Sequence, residues 1–478
     1  MNIHLFLQLE RRFLIIKLQG SILKTYLVLL LLAVSFSLQS LQSDPIKKYK
    51  IVIDPGHGGA KQDPLEIFGD KYDTVTGRFL ENYKDGASHP KAGRTEMEIV
   101  LEVGKELKEI LDLTKTKKGF QKFKSYIKLF SDSDAPWIKI ESAMTRTDNY
   151  KDRSYREKED KNQLYRLYDY PDFKTGKNRL GRISMINKEK PALVVSLHIN
   201  AMNAAPDSGG MGAVIAPSYQ TFELLKRISD KKAQPEEFLK TPWRNWMLFE
   251  SKWSRLENAI ADAWIYFNGY WPNQAGTESN VERFEGYRAN MITWRYKDAD
   301  GWEKTVNNKE GPYAIDHSGF RAVGKFWDRE RGKPELMRRE GGLEGFGGDN
   351  LYASNELLRF MQYGLRLQVN EDKDTYKEPN RILLPFVSTY SIPTFVNAIS
   401  AYLELGEITS DRDMYFVTTK KRKTAICLAV GIYSLFNGLE LRPIETLYTP
   451  KGRRIDFEKY VGSTGLSYFE EVVSDKNE

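Results

Sequence analysis

Two short runs of consecutive apolar residues stand out in the hydrophobic pattern, and each run leads into a histidine. Residues 51–53 are all β-branched, and residues 192–197 are apolar apart from one serine. Such runs are typical of strands that are covered on both faces of a mostly parallel sheet. His57 follows the first run after an Asp-Pro-Gly turn signal, and His198 ends the second run. Because open α/β sheets place ligand sites beyond the carboxyl ends of their strands, the pattern predicts that both histidines border one site.

Apolar residues at spacings of three and four predict a helix between these two strands. They cover one face from residue 99 to residue 111, which is the amphipathic pattern of a helix that packs on a core. Thr95 and Glu98 have the spacing of a capping box at the helix start. Glu96 then lies in the first turn, where an acidic side chain most often only offsets the helix dipole.

The remaining regular segments continue the alternation of strands and helices. Residues 180–187 predict a second helix, residues 393–405 a buried strand that contains Glu404, and residues 425–435 a further helix. Alternating strands and helices are typical of an α/β domain. We therefore predict an α/β fold with a mostly parallel central sheet flanked by helices, interrupted by a long inserted region that is rich in aromatic residues.

The inserted region is predicted from the loss of a clear hydrophobic period between residues 206 and 385. Eight of the nine tryptophans lie in that range. Tryptophans there could stack on sugar rings, form part of a lid over a site, or pack as an ordinary core, and the sequence leaves these three roles open. A charged, tyrosine-rich stretch at residues 149–177 indicates another insertion.

Composition and charge fit an ordinary globular protein and exclude several functions. The chain has 478 residues, of which 41% are hydrophobic and 29% charged, and its net charge is +7. This mild excess of positive charge indicates affinity for anionic surfaces rather than dedicated nucleic-acid binding. Because Cys427 is the only cysteine, an intrachain disulfide, a thiolate metal cluster and a lipid-attachment cysteine after a leader are all excluded.

Residues 1–43 are predicted to be a signal peptide or N-terminal leader. Basic residues precede an apolar run at residues 26–38, which has the length of a signal-peptide core and is short for a membrane span. We therefore expect export to the periplasm or cell envelope, with the leader in contact with the membrane during export. An uncleaved anchor is the alternative, because no clear cleavage pattern follows the apolar run.

Together with these patterns, four sequence blocks resemble the zinc-dependent N-acetylmuramoyl-L-alanine amidases of bacterial cell walls, the type-3 family. In chain order, the blocks are residues 51–59, 95–107, 196–201 and 403–413. The resemblance implies that residues 44–478 form an amidase catalytic domain in which His57, Glu96 and His198 bind one Zn²⁺ ion. It also implies that Glu404 is the catalytic carboxylate.

The chain departs from the family in the distance between the first histidine and the ligand glutamate, which is longer than the resemblance implies. Residues 60–93 are therefore predicted to be an insertion, and Glu66, Glu81 and Glu98 remain rival metal ligands. Glu96 is preferred because it begins the helix and the apolar face follows it in register.

The residue types suit metal-assisted hydrolysis. Two imidazoles and one carboxylate leave an open fourth position on zinc, where a bound water is acidified and an amide carbonyl is polarised. Glu404 can take the proton of that water, because it arrives on a separate strand. Asp54 is an alternative base. Its other possible role, beside Pro55, is to fix the turn. Asn200 is either a partner that orients a metal ligand or a turn residue.

The resemblance implies hydrolysis of the amide between N-acetylmuramic acid and L-alanine in peptidoglycan, in cell-wall remodelling or daughter-cell separation. Peptidoglycan is then the expected partner, an activator or regulator protein is a second candidate, and no nucleic acid is expected. Two alternatives remain open. One is a non-catalytic cell-wall-binding or regulatory protein on the same fold, and the other is a zinc hydrolase of another wall bond.

Overall fold

The computed structural model describes part of the chain, and all the elements below belong to one compact unit, residues 48–478. The described residues are 46–58, 71–73, 78–80, 85–147, 166, 170–171, 178–201, 208–215, 227, 232–234, 237, 346–383, 385–387, 392–393, 396, 398–442 and 448–458. The predicted leader lies outside them, as do most of the stretches 60–93, 149–177 and 206–385. Within the described segments, no helix has the length and apolarity needed to cross a membrane.

Strands and helices alternate along the chain, as the sequence predicts. The strands are β1 (Lys48–Pro55), β2 (Lys71–Asp73), β3 (Arg78–Leu80), β4 (Lys139–Met144), β5 (Tyr170–Pro171), β6 (Asn178–Arg179), β7 (Leu193–Asn200), β8 (Gly212–Ile215), β9 (Phe386–Val387) and β10 (Ile399–Glu407). The helices are α1 (Glu96–Asp112), α2 (Lys117–Ile127), α3 (Arg182–Glu189), α4 (Phe346–Leu367), α5 (Asp411–Met414) and α6 (Lys421–Asn437). A 3-10 turn, Leu113–Lys115, joins α1 to α2, and a π-helical turn, Tyr415–Thr419, joins α5 to α6.

A six-stranded sheet with the order β4-β1-β7-β10-β8-β9 forms the centre of the unit. The first four of these strands are parallel to one another, and β8 runs antiparallel to β10 with β9 parallel to β8. Two small antiparallel pairs, β2–β3 and β5–β6, lie apart from this sheet. The predicted α/β class with a mostly parallel sheet is therefore confirmed.

Helices cover the sheet on both faces, which explains the continuous apolar runs in the sequence. On one face α1 packs against β1, β4 and β7, α4 packs against β10 and β8, and α6 lies between α1 and α4. On the other face α3 contributes two isoleucines to a smaller apolar cluster that includes residues of β1, β7, β8 and β10. Because both faces are covered, β10 is buried at every position and β7 at every position but its last.

Both ends of the range 206–385 belong to the core of the unit. β8 hydrogen-bonds to β10 inside the sheet, and α4 packs on that same part of the sheet and on α6. Ala233 is 8% exposed and is part of the main apolar cluster. A four-residue strand is too short to show a period of its own, so the sequence pattern did not distinguish β8 from its surroundings.

Candidate metal centre

Three of the predicted site residues meet at the carboxyl edge of the sheet, where β1 and β7 end and α1 begins. Glu96 Oε1 lies 3.2 Å from His57 Nε2 and 2.9 Å from His198 Nδ1. The two imidazole rings have centroids 5.0 Å apart and planes at 74°. One potential ligand atom from each of the three residues lies within 4.8 Å of the others. The fold thus gathers three side chains that are far apart in the sequence.

A tight turn after β1 presents His57 to this cluster. His57 has a φ of 61°, a left-handed conformation that costs a non-glycine residue on the order of 1 kcal/mol. Gly56 has no room for a side chain, because a Cβ there would lie 2.2 Å from His198 Cε1. The Gly56 N–H donates to the Leu197 carbonyl at 2.8 Å, so β1 and β7 stay paired up to the two histidines. A strained residue that its surroundings hold in place is a mark of functional sites.

Glu96 is only 4% exposed and its carboxylate is held by backbone groups as well as by the histidines. Its Oε2 accepts a hydrogen bond from the Ala87 N–H at 3.1 Å, and its Oε1 accepts one from the Ile199 N–H at 3.0 Å. Burial opposes ionisation, but the charge of His57 and the hydrogen bonds of His198 and His57 outweigh it and hold the pKa of Glu96 well below its usual value. The side chain is therefore a carboxylate anion, the form that binds a cation.

His198 is kept neutral by its surroundings. Burial lowers its pKa, even though the adjacent Glu96 carboxylate acts in the opposite direction. Neutral imidazole is the form that binds a metal ion. The His57 side chain is 22% exposed, so the cluster opens to solvent on that side.

Glu98, the rival ligand in the same helical turn, has a different role. Its Oε2 accepts a hydrogen bond from the Thr95 N–H at 2.9 Å, which forms the predicted capping box of α1. Glu66 and Glu81 lie outside the described residues. Among the acids considered, Glu96 is therefore the one that the described structure places beside both histidines.

Asp54 is fully buried and accepts hydrogen bonds from three side chains. The donors are Thr145 Oγ1 at 2.7 Å, Ser196 Oγ at 2.9 Å and Arg182 Nη1 at 3.0 Å. Burial alone would raise the pKa of Asp54, but Arg182 and the two hydroxyls hold it below its usual value. A carboxylate committed to three donors fixes the turn instead of accepting a proton from water, so this geometry favours the turn-fixing interpretation.

Arg146, which belongs to a Thr-Arg turn that the amidase family also has at this place in the order of its motifs, is completely buried behind the site. Its guanidinium donates to the backbone carbonyls of Pro55, Gly56 and Met97 at 3.0, 2.8 and 2.7 Å. These carbonyls belong to the end of β1, the turn after it and the first turn of α1. One side chain therefore ties together the two segments that carry the first histidine and the glutamate. Arginine is mostly exposed in proteins, so no local pattern could have predicted this burial.

Glu404 stands directly opposite His198 in the β7–β10 pair, on the same face of the sheet. It is 6% exposed, and its Oε2 has no hydrogen-bond partner among the described residues. Burial, followed by the nearby carboxylates of Glu96 and Glu407, raises the pKa of Glu404 well above its usual value. A carboxyl group with a raised pKa and an oxygen that has no partner in the described structure has the properties expected of a general base.

Two further residues complete the surroundings of His198. Asn200 Oδ1 accepts a hydrogen bond from the Ala201 N–H at 2.8 Å, which favours the turn interpretation of Asn200. Tyr402 stacks on the His198 imidazole with ring centroids 4.4 Å apart and planes at 10°. The sequence contains no signal for this contact, because it depends on how β10 pairs with β7.

The residues that meet here fit a zinc ion. Two imidazole nitrogens and one carboxylate oxygen are a donor set found in hydrolytic zinc sites, where they leave a fourth position open. The unpartnered oxygen of Glu404 belongs to a residue on the same face, beside one of the two histidines. The arrangement can therefore hold a metal ion next to a group that accepts protons.

A family model described as N-acetylmuramoyl-L-alanine amidase matches residues 51–277 of the chain. This match confirms the family and the enzyme class that the sequence predicted. It includes both histidines and Glu96, whereas Glu404 lies beyond it. A comparison with curated proteins finds no match.

Several solved structures are similar to the chain at low sequence identity. An N-acetylmuramoyl-L-alanine amidase from Clostridium difficile 630 is 12% identical, with 81% of this chain and 96% of that chain covered and a TM-score of 0.31. The Ami1 amidase from Mycobacterium smegmatis is 12% identical, with 81% and 97% covered and a TM-score of 0.32. The CwlD amidase from Clostridioides difficile, in complex with the GerS lipoprotein, is 13% identical, with 80% and 96% covered and a TM-score of 0.28. Because the TM-scores of these structures are low, the family assignment rests on the match to the family model.

Proposed function

We propose that this chain, which belongs to the N-acetylmuramoyl-L-alanine amidase family, uses one Zn²⁺ ion to hydrolyse the amide between the lactyl group of N-acetylmuramic acid and L-alanine. The observation that carries the proposal is the meeting of His57, Glu96 and His198. Glu404 stands opposite His198, and its Oε2 has no hydrogen-bond partner among the described residues. Family membership supplies the coarser statement that the enzyme is a peptidoglycan amidase. The metal, the bond and the roles of the residues are what we add.

Each residue has a separate task in the proposed reaction. His57, Glu96 and His198 would hold the ion, which when bound supplies a Lewis acid for the amide carbonyl and lowers the pKa of a water molecule. Glu404 would accept a proton from the attacking water molecule as its oxygen forms a bond to the lactyl carbonyl carbon. It would then pass the proton to the L-alanine nitrogen as the carbon–nitrogen bond breaks.

The proposed setting follows from the substrate. Peptidoglycan lies outside the cytoplasmic membrane, so we propose that the enzyme acts in the periplasm or cell envelope, as the predicted leader also suggests. Cell-wall remodelling or daughter-cell separation is the corresponding biological role. That an activator or regulator protein binds this enzyme stays a prediction.

Digestion of purified peptidoglycan followed by mass spectrometry tests the proposed bond. We expect stem peptides with a free L-alanine amino group and glycan strands whose lactyl carboxylates are also free. Fragments cut at another bond would favour the alternative zinc hydrolase. Binding to the wall without any cleavage would favour the non-catalytic alternative.

Metal analysis tests the proposed cofactor separately. The purified protein should contain about one zinc ion per chain, as expected for a site with three protein ligands. Removal of zinc by a chelator should abolish cleavage, and added Zn²⁺ should restore it. Undiminished activity of a protein shown to be free of metal would refute zinc dependence while leaving the bond assignment in place.

A further inference from the structure

We propose that Tyr402 is a positioning residue that fixes the plane of the His198 imidazole, so that its Nδ1 stays directed towards Glu96. This inference rests on the proposed function, because it takes His198 to be a zinc ligand. Tyr402 touches neither the substrate nor the ion in this proposal. It acts only through the histidine ring on which it stacks.

The contact between the two rings is close and lies in the interior. The ring planes are nearly parallel, at 10°, with centroids 4.4 Å apart. Tyr402 is 6% exposed and His198 is 8% exposed, so water has little access to the stacked faces. Rotation of a histidine about its second side-chain torsion is only weakly restrained by its own covalent structure. A ring stacked on its face supplies the missing restraint, because rotation would break the contact.

Strand pairing explains why Tyr402 reaches this particular ring. In the β7–β10 register Tyr402 stands opposite Ser196, and Glu404 stands opposite His198. Residues two apart on a strand share a face, so Tyr402 and Glu404 both lie on the side of His198. Diagonal neighbours of this kind are within reach of an aromatic side chain.

The tyrosine ring is itself held by packing, which makes it a firm support. It belongs to the smaller apolar cluster, together with Val52 of β1, Val194 of β7 and Val214 of β8. The other contacts of His198 are of a different kind. Glu96 bonds one nitrogen, and the ring of His57 meets it edge-on at 74°. Of these three side chains, Tyr402 is the one whose ring lies flat against the face of the imidazole.

Zinc affinity distinguishes a positioning role from simple filling of the core. Tyr402→Leu keeps an apolar side chain but removes the stacked ring, and we expect the Kd for zinc to rise about 10-fold. Tyr402→Phe keeps the ring, so its Kd should stay within about twofold of the wild-type value. Competition with a chromogenic chelator measures these constants. The visible spectrum of Co²⁺ in the same site reports whether the ligand geometry has changed.

Leu403→Ala is the matched control, because Leu403 is the next residue on β10 and is fully buried in the main cluster instead of the one containing Tyr402. We expect it to lower the melting temperature of the metal-free protein while leaving the zinc Kd and the Co²⁺ spectrum unchanged. If Tyr402→Leu does not fold, Tyr402→Met fills the site with a flexible apolar chain and serves the same purpose.

Two results would overturn the positioning role of Tyr402. One is a wild-type zinc Kd in a folded variant that lacks the ring, and the other is an equal loss of affinity in Tyr402→Phe. Failure of the proposed function would look different. In that case the wild-type protein itself would bind no zinc, or its affinity would not change when His57 or His198 is replaced by alanine.

Discussion

At the residue scale, Glu96 and Glu404 are two buried carboxyl groups whose surroundings shift their pKa values in opposite directions. Glu96 accepts hydrogen bonds from two backbone N–H groups and lies beside two imidazoles. Glu404 faces other acids, and its Oε2 has no partner in the described part of the chain. When the surroundings of two carboxyl groups shift their pKa values in opposite directions, the two groups are suited to different roles. Here we assign Glu96 as a metal ligand and Glu404 as the proton acceptor.

The first prediction separates these two roles by metal content and rate. Glu404→Gln should keep its zinc and lose turnover by about 10²-fold or more, because a general base is removed and the proposed ligands stay. His198→Ala should lose both zinc and activity. Zinc analysis and muropeptide release measure the two properties. A metal-free Glu404→Gln protein would contradict our assignment of ligand and base.

The second prediction concerns two acids in one helical turn. Glu96→Ala should lose zinc because it removes a ligand, whereas Glu98→Ala should keep zinc and only weaken the start of α1. Loss of the cap is expected to lower the free energy of unfolding by about 1 kcal/mol. Zinc titration and urea denaturation of both variants check this pair. Strong zinc loss in Glu98→Ala alone would refute the choice of Glu96.

At the element scale, the end of β10 is anchored by Asp413 in the short helix α5. Its Oδ2 accepts hydrogen bonds from the backbone N–H groups of Glu407 and Gly210, both at 2.9 Å. Its Oδ1 accepts one from Asn380 Nδ2 at 2.8 Å. Asp413 therefore joins the strand that carries Glu404 to the segment leading into β8.

The third prediction is a pH dependence of stability. Burial raises the pKa of Asp413 to about 6, although its hydrogen bonds act in the other direction. Between the pKa of an unfolded aspartate, near 3.8, and this value, the folded state keeps a proton that the unfolded state has lost. The free energy of unfolding should therefore fall as pH rises through this window, by about 2 to 3 kcal/mol. Asp413→Asn should lack this fall, because its side chain is neutral at every pH.

Urea denaturation between pH 4 and pH 7 measures this effect, and Asp132 supplies a control whose pKa is shifted in the opposite direction. Asp132 is an exposed aspartate whose hydrogen bond with Arg442 lowers its pKa. Its stabilising contribution is present above the unfolded pKa and is lost as pH falls. Because its pH window lies below the unfolded pKa of 3.8, Asp132→Asn should leave the slope between pH 4 and pH 7 nearly unchanged. Parallel pH curves for the wild type and Asp413→Asn would contradict the role given to burial of Asp413.

At the scale of the whole molecule, the range 206–385 contains elements that belong to the core. Deletion of that entire range would remove β8 from the sheet and α4 from the core. It would also remove the buried Ala233. Residues 238–345 contain all eight tryptophans of the aromatic-rich region, and they begin after the last described residue that precedes α4.

The fourth prediction is that residues 238–345 can be replaced by a Gly/Ser linker without loss of folding or zinc binding. A flexible linker of about 20 residues has a mean span of roughly 25 Å. Circular dichroism and zinc titration test the prediction. Loss of folding would show that the aromatic-rich region is part of the core.

Activity of the same deletion variant separates the three roles of this region. Higher activity than wild type on isolated cell wall would indicate a lid. Loss of activity on the wall, with retained cleavage of a small muramyl peptide, would indicate a platform for glycan strands. Unchanged activity on both substrates would leave packing as the role of the tryptophans.

The sequence by itself determined those features that depend on neighbouring residues. The runs before His57 and His198 predicted β1 and β7, because a strand covered on both faces needs consecutive apolar side chains. The start of α1 was predicted because a capping box spans only four residues. The presence of both histidines at strand ends followed from the same local patterns, and the resemblance to the amidases supplied the family.

The tertiary structure alone decided how distant residues meet. Whether Glu96 or Glu98 faces the histidines depends on the rotation of α1 over the sheet, which spacing does not reveal. Arg146 and Tyr402 gain their contacts from segments that are far away in the chain, and β8 is recognisable as a core strand only through its pairing with β10. The physical reason is that hydrophobic period and capping report local geometry, whereas hydrogen bonds and ring contacts across strands depend on the packing of the whole fold.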